Sequence, residues 1–102
     1  MRKIAEAVNY IKDELAGAEK YADEALKYKG TDKEASSMFI GLATTELSHV
    51  DSLHAYIVKL INEQRATGRE VPAGMQDVWD WEHTQMLKRY TEIKALLETA
   101  RK

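Results

Sequence analysis

Leu42-Ala43-Thr44-Thr45-Glu46-Leu47-Ser48-His49-Val50-Asp51-Ser52-Leu53 is the stretch from which the rest of the chain can be read. Its apolar residues belong to a longer series: Phe39, Leu42, Leu47, Val50, Leu53, Ile57, Leu60 and Ile61. Steps of three and four dominate, which is the helix period. Glu46 falls on the apolar stripe, with Leu42, Ala43 and Val50 as helical neighbours, and His49 follows three residues later on the same face. The spacing thus sets a carboxylate and an imidazole side by side, pointing inward. An unpaired carboxylate buried there is costly. A cation removes the problem, because it supplies a counter-charge to Glu46 and a partner for neutral His49.

Working outward, the breakers divide the chain. Gly30 stands alone in Lys29-Gly30-Thr31-Asp32, whereas Gly68, Pro72 and Gly74 cluster. Three helices are predicted, over 2–29, 32–66 and 75–101, in a single domain over 1–102. The first carries Ile4, Ala7, Val8, Ile11, Leu15, Ala18, Ala22 and Ala25 at helical spacing, with Gly30 as its stop. A capping box of Thr31 and Glu34 is expected to start the second. Met38-Phe39-Ile40 is apolar through about 200° of the wheel, so that end of the helix needs two neighbours. Trp79, Met86, Tyr90, Ile93 and Leu97 mark the inner face of the third. Trp81 points about 200° from Trp79, so one tryptophan should face away from the core, toward a partner. Met38, Met75 and Met86 read as core filler. Gly17 and Gly41, inside periodic stretches, point to a close helix contact or a nearby ligand. Strand signals are absent and both connections are short, which predicts an all-α, antiparallel up–down–up bundle.

Composition narrows the function. The 102 residues include no cysteine, which excludes a disulfide scaffold, a thiol nucleophile and a cysteine metal site. Fifteen basic and seventeen acidic residues give a formal charge of −2 with no block of one sign, so nucleic acid is not an expected partner. No apolar run approaches the ~20 residues of a membrane span, and the N-terminus lacks the apolar stretch of a signal peptide. A soluble, cytoplasmic protein with no membrane partner is expected.

Glu14 repeats the pattern of Glu46. Its helical neighbours are Tyr10, Ile11, Gly17 and Ala18, none of them charged, and Tyr21 lies seven residues on. Glu14 precedes the turn at Gly30 by 16 residues, and Glu46 follows it by 16. In an antiparallel hairpin the two lie at similar height, so Glu14, Glu46 and His49 can converge. Taken singly, each has an ordinary alternative: Tyr10 or Tyr21 can partner Glu14, and a histidine on an apolar face is often a satisfied core residue.

A glutamate on one helix and Glu-x-x-His on the next resembles the ligand pattern of ferritin-like di-iron carboxylate proteins. Asp13-Glu14-Leu15-Ala16-Gly17-Ala18-Glu19-Lys20-Tyr21-Ala22 looks like the first helix of the rubrerythrin branch, and Ala43-Thr44-Thr45-Glu46-Leu47-Ser48-His49 like its second. The likeness covers roughly residues 5 to 60. It implies Glu14, Glu46 and His49 as metal ligands, Tyr21 as a hydrogen-bond donor to a bound ligand, and iron as the cofactor, with Mn or Zn as substitutes. The implied activity is ferroxidase- or peroxidase-type oxidation of Fe(II) by O2 or peroxide. Two departures stand out. Rubrerythrins carry a cysteine-ligated iron domain, which this chain lacks. The full bundle also has four helices and two Glu-x-x-His motifs, against three helices and one such motif here. A homodimer restores the set. The other solution draws on the third helix, where short ferritin-like relatives place a histidine and where His83 stands, making it the fourth metal-ligand candidate. Depth counted from the second turn sets His83 nearer His54 than His49, so it either joins the site, pairs with His54 or does neither. Asp80 and Glu82 read as acidic residues complementing the helix dipole. The competing reading is a non-catalytic interaction or scaffold module of ferritin-like shape, working through Trp81 and the apolar arc at Met38.

Overall fold

The computed structural model describes residues 2–68 and 72–102; Met1 and residues 69–71 lie outside the description. Three helices follow in order: α1 (Arg2–Tyr28), α2 (Lys33–Ala66) and α3 (Ala73–Arg101). No strand occurs among the described residues. The bounds fall within two residues of those expected.

The first turn corrects the expected cap. Thr31 and Asp32 both donate their backbone N–H to the Tyr28 carbonyl, at 3.1 and 2.8 Å, closing α1. That leaves Asp32, not Thr31, to start α2, and its carboxylate accepts from the Ala35 N–H at 3.0 Å. The terminal carbonyls of α1 are also satisfied locally. Leu26 accepts from Lys29, and the Ala25 carbonyl accepts from the Ser36 hydroxyl at 2.8 Å. Ser36 is the one buried polar residue among those described, and its bond ties the start of α2 to the end of α1. At the far end of α2, Gly68 adopts φ +75°, the left-handed conformation that glycine takes after a helix.

Packing follows side-chain size. Where α1 meets α2 the buried residues include Ala18, Ala22, Ala25 and Ala43. Small side chains let the two backbones approach, and this is the most extensive helix pair of the fold. Leu15, Val50, Ile57 and Ile93 fill the centre. α3 lies along the hairpin, more against α1 than α2. Its register is fixed by two bonds to α1, Lys12 to Glu82 at 2.9 Å and Arg89 to Glu19 at 3.1 Å, and by one from the turn just after it, Lys29 to the Thr99 carbonyl at 2.8 Å. Position numbers rise together in these pairs, so α1 and α3 run parallel. They fall against each other across α2 and α3, where Tyr90 meets Asp51 and His83 meets His54. The expected up–down–up order is therefore observed.

Two side-chain expectations change. Met86 is buried, but Met38 (54% exposed) and Met75 (38%) are not core filler. Phe39 stacks on Tyr21 and Tyr28, and Ile40 packs on the core, so α1 covers part of the Met38-Phe39-Ile40 arc and nothing described covers Met38. Trp79 packs against the core while Trp81 is 61% exposed, as the wheel requires. The molecule measures 56 × 18 × 18 Å with a radius of gyration of 16.4 Å. A compact domain of this length has a radius near ~13 Å. The chain is a rod with a high surface-to-volume ratio.

Candidate metal centre

Among the described residues, one group of three metal-ligating side chains converges: Glu14 from α1, and Glu46 and His49 from α2. Each offers one ligand atom, and these atoms all lie within 4.8 Å of one another. The hairpin produces this arrangement, because antiparallel helices of matched depth bring Glu14 level with the Glu46–His49 turn. His49 Nδ1 stands 3.3 Å from Glu14 Oε2. Glu14 and Glu46 are half-buried and His49 is exposed, so the group opens to solvent on one side.

Gly17 makes room for it. A β-carbon at this position would stand 3.3 Å from Glu46 Oε2 and 3.6 Å from its carboxyl carbon. The expected close contact at Gly17 is thus a contact with a candidate ligand. Gly41 has no such neighbour.

The two carboxylates cannot both ionise cheaply at this separation. Hydrogen bonding to Glu46 holds the Glu14 carboxyl below its ordinary value, with burial opposing and His49 assisting. The same bond, together with burial and the Glu14 charge, pushes Glu46 up. Opposite shifts on two neighbouring carboxyls mark a spot where negative charge is crowded, and a cation there relieves it. The residues fit a metal on two counts: a mixed carboxylate–imidazole donor set, and a cradle that a β-carbon would crowd.

The remaining candidates lie elsewhere. His83 does not join Glu14, Glu46 and His49. Its Nε2 stands 3.1 Å from His54 Nε2, and Trp79 packs parallel to its ring. The reason is rotational. At about 100° per residue, the α1 and α2 positions that meet α3 (Lys12 and Glu19; Asp51 and His54) lie on one side of the hairpin core. Glu14, Glu46 and His49 lie on the other. Glu82 pairs with Lys12, and Asp80 accepts from Gln76, so neither reaches the group. Tyr21 is stacked on Phe39 with ring centroids 6.1 Å apart and makes no hydrogen bond to the three ligand candidates. Tyr10, the other proposed partner of Glu14, is 60% exposed. A groove of about 440 Å³ between α1 and α3 is lined by Leu15, Trp79, Trp81 and His83 and by none of the three.

The His54–His83 pair is the feature that sequence reasoning left open. Its signal was the depth count, which set His83 level with the residues just after Leu53. Compared with models of known protein families, with curated proteins and with solved structures, the chain finds no match.

Proposed function

We propose that the chain is a small ferritin-like metal-carboxylate protein that binds iron through Glu14, Glu46 and His49 and promotes oxidation of Fe(II) by O2 or peroxide. The supporting observation is the convergence of two carboxylates and an imidazole from two helices within 4.8 Å, beside a glycine that leaves space for them. Carboxylate and imidazole donors suit iron, and also Mn or Zn. Iron, when bound, supplies the one-electron redox step. The chain's own residues do the rest: the Glu14 and Glu46 carboxylates supply negative charge to balance the cation, and the His49 imidazole supplies a nitrogen lone pair.

A second copy completes the donor set in this reading. Three donors underfill a metal pair, and a two-fold partner docked on the same face brings another Glu14, Glu46 and His49. The surroundings favour this. Tyr10, Leu42 and Tyr56 stand exposed on the hairpin face that holds the group, away from α3. The accessible surface is 6809 Å², against about 5,800 Å² for a compact monomer of this mass.

The test is an anaerobic Fe(II) titration of the apo protein, then exposure to air, beside Glu46→Ala. Saturation near one iron per chain, lost in the variant, supports a site shared by a dimer. A value near two per chain means that each chain completes its own site. Uptake unaffected by Glu46→Ala, or no specific uptake, overturns the assignment. The rival, a non-catalytic interaction module, draws on exposed Trp81 and Met38. It predicts that Trp81→Ala disrupts assembly while metals change nothing, which native mass measurement separates.

A further inference from the structure

The seam between α2 and α3 holds a second pair of metal-ligating groups, on the opposite side of the hairpin from Glu14, Glu46 and His49. His54 and His83 are both half-buried, and their Nε2 atoms stand 3.1 Å apart. The rings are within 10° of parallel, with centroids 5.1 Å apart, so they meet tip to tip rather than face to face. At this distance one Nε2 carries a proton and the other accepts it. Two imidazolium ions would repel, and two bare nitrogens would gain nothing.

We propose that His54 and His83 form an interhelical clamp for a borderline divalent cation, with Zn(II) as the fitting ion. Two nitrogens on one tetrahedral zinc, at about 2.0–2.1 Å each, stand about 3.3–3.4 Å apart. The observed separation is short of that by a few tenths of an ångström, which a tilt of the two ring tips supplies. Proton balance is neutral. The ring that holds its proton on Nε2 shifts it to Nδ1, both Nε2 lone pairs face the ion, and no proton need leave the protein.

Three features of the surroundings favour the clamp. Trp79 lies parallel to the His83 ring at 5.4 Å and limits its rotation. Asp51, three residues before His54, puts a negative charge within reach of it while its carboxylate accepts from the Tyr90 hydroxyl at 3.3 Å. His83 also lines the open groove between α1 and α3, which gives an ion a route from solvent. Burial and the nearness of His83 hold His54 below its ordinary value, which favours the neutral form that a metal needs. Water fills the remaining coordination positions. The ion would staple α3 to α2, the helix pair with the least contact in the fold.

The experiment is a calorimetric Zn(II) titration of Glu46→Ala, alone and combined with His54→Gln or His83→Gln, with thermal unfolding followed by circular dichroism. In Glu46→Ala about one zinc per chain is expected to bind and to raise the Tm. Each histidine substitution should abolish that equivalent and the rise. Persistence of both in the two histidine variants overturns the clamp, as does absence of zinc uptake by Glu46→Ala. If either histidine variant fails to fold, the imidazole ¹⁵N resonances of Glu46→Ala decide. Zinc should move those of His54 and His83; a shift confined to His49 refutes the proposal. None of these outcomes depends on whether iron binds at Glu14, Glu46 and His49.

Discussion

At the scale of single residues, Gly17 is the most informative position on the candidate centre. It sits in the middle of α1, where glycine is worse than alanine by roughly 0.5–1 kcal/mol. The chain keeps it where a β-carbon would stand 3.3 Å from Glu46 Oε2. Gly17→Ala should therefore raise the apo protein's stability by roughly 0.5–1 kcal/mol, less whatever Glu46 loses in yielding. It should at the same time weaken metal uptake, because the carboxylate is pushed off its position. Urea unfolding and metal titration of the one variant read the two effects separately; stability and uptake rising together would show that the glycine does not make room for the candidate ligand. Glu14, Glu46 and His49 were legible in the sequence because each breaks an apolar stripe and because the depth count needs only the turn at Gly30. Tyr21 was legible as a member of the same face, but its ring is committed to Phe39, a contact that depends on how the two helices rotate.

At the scale of elements, α1 and α2 were written plainly in a period of three and four, and α3 less so. What the pattern did not contain was the rotation of α3 about its own axis. That angle is set across the helix pair, by Lys12 with Glu82 and Arg89 with Glu19, and it carries His83 to His54 rather than to His49. The cap was misread by one residue: Thr31 fits a capping box, yet α2 starts at Lys33 and the Asp32 carboxylate is the side chain that accepts from a first-turn N–H, that of Ala35. The α2–α3 seam has a pH consequence. Folded His54 binds its proton less readily than in the unfolded chain, through burial and the adjacent His83, with Asp51 opposing. Both states are neutral above about pH 6.5, so stability is full there. As pH falls through that value the unfolded chain takes up the proton first, and stability drops. In metal-free buffer the urea midpoint should fall between pH 7.5 and 5.5, and His54→Gln should flatten that fall. An unchanged slope in the variant would place the effect on other groups.

At the scale of the whole molecule, the rod shape and its exposed apolar residues bear on assembly. No helix among the described residues is long and apolar enough to cross a membrane, so these side chains are not a bilayer surface of a spanning helix. Leu42 is 40% exposed, one turn before Glu46 on the face that holds the candidate ligands. On the proposed pairing of two copies through this face, Leu42→Asp should halve the mass measured by light scattering while leaving the helical content unchanged, since little of the monomer core rests on this residue. A dimer that survives the substitution would move the interface to another face, with Trp81 the next residue to change. Parallel α1 and α3 share a fixed register, and the Glu14–Glu46–His49 group and the docking side of α3 occupy opposite flanks of one hairpin. The two flanks are consequently independent design variables. Asp51 and His54, which meet Tyr90 and His83, can be redrawn to retune how α3 seats while the candidate ligands Glu14, Glu46 and His49 are left unaltered.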